Sequence, residues 1–518
     1  MKMAAGMALL PGAATVAWAQ PVKRLRIGLA APNTTIDPHL QSNAPNNALA
    51  THIFDSLVVN DEASRSKPGL ASSWKTIDET HWEFTMRPGI KFSDGTPFSA
   101  EDVKVSINRA GTIPSVASFR TYTRSVKSIT ASGNKLIFET TAPDPLLPNS
   151  LSRIRIISAK HKDTPSAEFN AGRAAIGTGP YVLKEYVPGS HVLLVRNESY
   201  WGEKSPWPEV QLRIVTDAGA RVANLLSGEL DLIDEVPYEA LERIKGDKRF
   251  HLITGISSRV VYLAFDQSRD VTPFAFDLNG KPLPKNPFKD PRVRQAIDLA
   301  ISRRAIVDRV MEGNAVLAAQ FLPKGSFGTS PKIEPALYDP NKARALLAEA
   351  GFPNGFKLTI HGPNNRYVND AKIVQAVAQM LTRVGIATTV EVMPWSVYAG
   401  KSANAEFSFC LGSWGVNTGE TSNPLVALVT TFNKEGGTGA SNMGRYSNPQ
   451  LDAKVMEATR TIDNAKRGQL LADASEIVFT DRALLPLHFE KGLWAARKEL
   501  GYVARADQYT LAMSVKKT

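Results

Sequence analysis

Between residues 290 and 411 the chain alternates helix with strand, and this pattern limits the fold more than any other feature. Asp290-Pro291 joins a capping side chain to a proline suited to the first helical position. Val293, Ala296, Ile297, Ala300 and Ile301 follow at the spacing of one apolar helix face. Ser302 caps a second helix that ends at Gly313, and Asp339-Pro340 opens a third that stops at Gly351. Residues 369–384 make a fourth, stopped by Gly385. Short strands stand beside them at Phe356–His361, Thr388–Val392 and Glu406–Leu411. Such alternation requires a layered α/β architecture. Pro273–Pro291, with its prolines and little periodicity, reads as an extended connector. At 518 residues the chain is too long for one core and should form two or three domains.

Earlier in the chain, Trp82–Arg109 (WEFTMRPGIKFSDGTPFSAEDVKVSINR) is punctuated at every joint. Trp82, Phe84 and Met86 alternate with polar residues as a half-buried strand. Pro88-Gly89 turns the chain, Ile90 and Phe92 begin a second strand, and Ser93-Asp94-Gly95 turns it again. Ser99 stands where an N-cap belongs, ahead of Glu101 and Asp102 in the first turn and an apolar face of Val103, Ile107 and Ala110. As a string the stretch resembles the signature of the periplasmic substrate-binding proteins for oligopeptides, dipeptides, opines and nickel, the extracellular solute-binding protein family 5 of ABC transporters. Met86 departs from the Leu usual there. Leu70–Trp74 (LASSW), Gly177–Tyr181 (GTGPY) and Asn197–Trp201 (NESYW) are similar to further segments of that family.

The resemblance implies an α/β, two-lobed periplasmic-binding-protein fold of type II with an extra subdomain and discontinuous domains. Lobe I would combine 20–55, 178–268 and 488–518, its extra subdomain 56–177, and lobe II 269–487. Two crossings, near Phe265–Arg269 and Pro486–Glu490, would form the hinge.

Residues 1–19 read as a signal peptide: Lys2, an apolar stretch Ala4–Leu10, and Ala17-Trp18-Ala19 before Gln20. No later run is long enough to span a membrane. The expected location is therefore the Gram-negative periplasm. Cys410 is the only cysteine, so no intramolecular disulfide forms, and its apolar context FSFCLG favours a buried, inert thiol. The net charge of +11 comes from scattered lysines and arginines without a basic block, which argues against nucleic acid. The eight histidines show no zinc spacing and no G-x-S-x-G elbow is present. Catalysis is not expected, nor any cofactor or metal.

The binding candidates lie at strand ends, where open α/β sheets take ligands. Trp395 follows Met393-Pro394, and Trp414 sits in Gly412–Gly415; each offers a flat apolar face and one indole N–H. In peptide-binding relatives an Asp three residues after the second Trp pairs with the ligand's ammonium. Asn417 stands at that position here, which removes the charge, and Glu420 is the nearest replacement. Arg366, with Lys401, is the candidate positive group. The resemblance also places the loop Pro32–Pro38 at the cleft, making Asn33 a candidate, with Phe119 and Tyr122 for the opposite wall. It implies capture of a small polar solute and delivery to an inner-membrane ABC permease and its ATPase subunits, by a monomer. Short peptides or peptide-like compounds come first as ligands, then opines and sugar-phosphate conjugates. A secreted hydrolase is the alternative of a different class.

Overall fold

The computed structural model describes residues 24–518 apart from Val116 and Asn417. The expected signal peptide lies outside the described residues. No described helix is long and apolar enough to cross a membrane.

A sheet of twelve strands runs through both halves of the described chain. Its central members are β1 (Arg24–Leu29), β2 (Leu232–Ile233), β3 (Phe250–Phe265), β4 (Phe356–Pro363), β5 (Ile386–Met393), β6 (Phe409–Gly415) and β7 (Leu484–Arg497). Strands β1 and β2 are parallel neighbours, as are β4 and β5, with the helix Asp370–Thr382 crossing over between the latter pair. The helices expected after Asp290 and Asp339 form as Pro291–Ala300 and Pro340–Glu349, each capped by that aspartate. Both β3 and β7 belong to the two halves at once. Phe250–Ile256 pairs with Lys491–Arg497 beside β2, whereas Val260–Ala264 pairs with Leu484–Phe489 beside β6.

Apolar residues follow the same division. Leu25, Ile27, Tyr181, Leu194 and Trp494 share one core, and Leu263, Phe265, Ile297, Ile360 and Leu487 share another. Phe84, Val103, Phe119, Leu136 and Phe138 form a third, over a four-stranded antiparallel sheet. This packing bears on where the proposed domain boundaries fall. Ile157, Phe169 and Ala174 belong with β1, so the extra subdomain packs only to Ile156 rather than to 177. Val261 and Phe265 are already inside the core of the second half. We therefore place the first crossing at the register break between Ile256 and Val260, not at Phe265–Arg269, and the second between Phe489 and Lys491.

Within the subdomain His81–Met86 buries Trp82, Phe84 and Met86. The second strand expected at Ile90–Phe92 does not form. The Phe92 N–H reaches the Thr96 carbonyl at 2.8 Å and closes the turn, leaving an isolated bridge between Lys91 and Pro97. The Ser99 N–H donates to the Asp102 carboxylate at 2.7 Å, which starts the helix Ala100–Thr112. Gly177 and Gly179 press against the Ile53 carbonyl, where an added Cβ would come within 2.0 and 2.6 Å of its oxygen. The GTGPY segment is thus a close-packed bend within the lobe of β1, leading into the strand that starts at Tyr181.

At the far end of the same helix Arg109 grips Asp37 of the opening loop with two bonds of 2.7 and 2.6 Å, both side chains buried. Burial opposes the charge on Asp37, but the guanidinium outweighs it and holds the carboxyl below its ordinary value. Removing one partner of a buried pair costs about 3–5 kcal/mol. Arg109→Met should lower unfolding stability by roughly that amount in urea. A folded pKa below the unfolded one gives stability that is lost on acidification, so the deficit should shrink as the pH falls through the carboxylate range. A loss below 1 kcal/mol at neutral pH would contradict this reading.

Candidate functional site

The two halves and the subdomain enclose a cleft of about 760 Å³. One wall comes from the carboxyl ends of β5 and β6. Pro394 ends β5 and Trp395 begins the next helix, its backbone N–H held by the Asn365 side chain at 2.8 Å. The Arg366 guanidinium lies 5.2 Å from the Trp395 ring centroid, and Tyr367 meets the same ring edge-on at 6.1 Å. Trp414, on β6, donates its indole N–H to Asn423 at 2.8 Å. It lines the cleft with its one donor already committed.

The floor is the register break itself. Ser257, Ser258 and Arg259 stand opposite Glu490 alone, because β3 pairs with β7 only up to Ile256 and again from Val260. Arg259 reaches across to Glu490 at 3.4 Å and to the Ser413 hydroxyl at 3.3 Å. Burial pushes the Glu490 carboxyl above its usual range, and Arg259 pulls the other way.

The opposite wall comes from the carboxyl ends of β1 and β2, carrying Asn33, Asp234 and Glu235, and from the subdomain, carrying Tyr122 and Arg153. The Asp234 carboxylate accepts from the Ala30 N–H at 2.8 Å and from the Thr510 hydroxyl at 3.3 Å. Burial, with Glu235 adding to it, pushes this carboxyl up to about 7.

Residues 65–436 match the family described as bacterial extracellular solute-binding proteins, family 5 Middle. The chain belongs to this family. It is 29% identical over 482 residues to the glutathione-binding protein GsiB of Escherichia coli (strain K12), covering 90% of this chain and 89% of that one. It is 27% identical over 480 residues to heme-binding protein A of Haemophilus influenzae, covering 86% and 83%. Among solved structures, the periplasmic murein tripeptide-binding protein MppA in its unliganded open form superposes with a TM-score of 0.81 at 22% identity, over 96% of this chain and 98% of that one. The periplasmic binding protein DppA from Helicobacter pylori in complex with the peptide STSA gives 0.71, also at 22% identity, over 96% and 98%. These two share the fold with our family 5 protein.

Of the residues singled out in the sequence, Trp395, Trp414, Arg366, Asn33 and Tyr122 line this family 5 cleft. Asn417 lies outside the described residues. Two others are elsewhere. Phe119 is 1% exposed and packs inside the subdomain core. Glu420 is 5% exposed and is held by the Arg467 guanidinium and the Ser422 hydroxyl. A carboxylate committed to a buried arginine has no charge to give a ligand. Lys401 also lies away from the cleft lining. Cys410 is buried, and burial raises its thiol to about 12, which makes it inert at neutral pH.

Sequence reading passed over Arg259, Asp234 and Glu235. The strand-end rule that located both tryptophans applies equally to Asp234-Glu235, which follow Leu232-Ile233 directly. Arg259 had a weaker signal, the polar pair Ser257-Ser258 interrupting an apolar strand.

If Glu420 is structural, Glu420→Gln leaves Arg467 buried and uncompensated. It should cost about 3–5 kcal/mol of stability in denaturant titration. Affinity of the folded protein for the solute it retains on purification should stay within about twofold, well under the loss expected from a broken charge-assisted bond. A stable variant with tenfold weaker binding would reverse the assignment.

Proposed function

We propose that this protein is the periplasmic capture component of an ATP-driven importer and holds a short peptide or peptide-like solute between its two halves. The observation that carries this reading is the cleft itself. Trp395 and Trp414 line one side, Asp234 and Glu235 the other, with Arg259 on β3 itself and Arg366 lying over Trp395. Apolar faces accept side chains of varied shape, while separated charges of both signs suit a small solute with ionised groups at either end. Membership of family 5 and the relatives named for glutathione and murein tripeptide support the same class of ligand. Delivery to a membrane permease follows from this role, as does binding without chemical conversion.

The solute retained on purification should be released by denaturant and identified by mass spectrometry as a peptide-like compound near one per chain. Returned to refolded protein at a hundred times its Kd, it should stabilise the fold by about 2.7 kcal/mol through mass action and raise Tm. Recovery of the compound chemically altered, at a rate proportional to protein, would overturn the reading in favour of an enzyme.

A further inference from the structure

The ends of β1 and β2 bring carboxylates and an amide oxygen to the cleft. Three acidic residues line the cleft among the described residues: Asp234, Glu235 and Asp507. Asp507 is consumed by Arg505, at 2.7 Å, and both are buried. Asp234 has one bond to each oxygen, from Ala30 and Thr510. The Glu235 side chain has no hydrogen-bond or ion-pair partner among the described residues and is exposed to the cleft. Its backbone is nevertheless fixed. The buried Arg221 guanidinium bonds the carbonyls of Asp234 at 3.1 Å and Glu235 at 2.9 Å, and Glu235 sits at φ 44°.

A second observation points to a ligand at the same place. Asn33, three residues beyond Ala30 on the neighbouring strand, is 3% exposed and lines the cleft. Its amide nitrogen donates to the Pro45 carbonyl at 2.7 Å, while its Oδ1 is buried with no partner among the described residues. A buried acceptor without a donor is costly unless something completes it. Since β1 and β2 are parallel and adjacent, Asn33, Asp234 and Glu235 all leave the sheet at one edge of the cleft.

We propose that Glu235, with Asp234 and Asn33, receives a primary ammonium group of the bound solute. An ammonium carries three donors and one positive charge, which matches the Glu235 carboxylate, a second carboxyl at Asp234 and the free Oδ1 of Asn33. The Asp234 carboxyl, raised by burial, gains a counter-charge when the ammonium arrives. The solute's anionic end then faces Arg259 and Arg366, so that the cleft orients a zwitterion. This rests on the peptide-like reading above and adds which end of the solute binds where.

The test uses two tripeptide libraries, one with free amino termini and one N-acetylated, offered to ligand-stripped protein and read by native mass spectrometry. Wild type should retain free-amine members and reject the acetylated ones. Glu235→Gln should lose about ten- to a hundredfold in affinity for the retained peptides, the weight of one charge-assisted bond, and should bind their acetylated forms nearly as well. Its unliganded Tm should match wild type, because the Glu235 side chain has no partner among the described residues and the Arg221 bond to its carbonyl is kept. Equal retention of both libraries by wild type, or an undiminished amine preference in Glu235→Gln, would overturn the amine site and leave the peptide reading intact. Retention of neither library would contradict the peptide reading and remove this inference with it.

Discussion

The pairing of β3 with β7 is the interaction on which the rest of the structure depends. Each strand is hydrogen-bonded in both halves, and the wider of the two shifts in the ladder falls where Ser257, Ser258 and Arg259 oppose Glu490. A strand that lost this break would carry one flat sheet across both halves and close the floor of the cleft. The break instead releases backbone groups that tie neighbouring segments together. The Ser258 N–H donates to Ala506 at 2.9 Å, and its carbonyl accepts from Val416 at 2.9 Å. The same three residues therefore serve as joint, floor and contact surface, and Arg259 is placed by the irregularity itself.

Charge in this protein falls into two kinds. Buried pairs such as Asp37–Arg109 and Glu420–Arg467 join segments distant in sequence, and both members are spent on each other. Charges in the cleft are less completely matched. Arg366 rests on an aromatic face, Arg259 faces a buried Glu490, and neither the Glu235 side chain nor Glu490 Oε1 has a hydrogen bond among the described residues. A basic net charge of +11 gives no hint of this division, because it counts both kinds alike.

What the sequence disclosed depended on whether the deciding contact was local. Caps at Asp290 and Asp339, the strand His81–Met86 and the helix after Ser99 are set by residues within a few positions, and all appear as read. Trp395 and Trp414 were legible because strand ends are local too. The partner of Glu420 was not legible, because Arg467 lies far along the chain and nothing near VNTGETSNP reveals a buried guanidinium. The place of the first crossing was not legible for a similar reason. Phe265 ends β3, and its packing against Phe288 and Phe409 assigns it to the second half.

The central claim is that a single solute touches both halves across the break in the β3–β7 ladder. Amide hydrogen exchange on stripped protein, with and without the solute eluted from it, tests this most directly. The account predicts added protection at 30–35, 234–235, 257–259 and 413–415 together, at saturating solute. Protection confined to one half, with 257–259 unchanged, would contradict it.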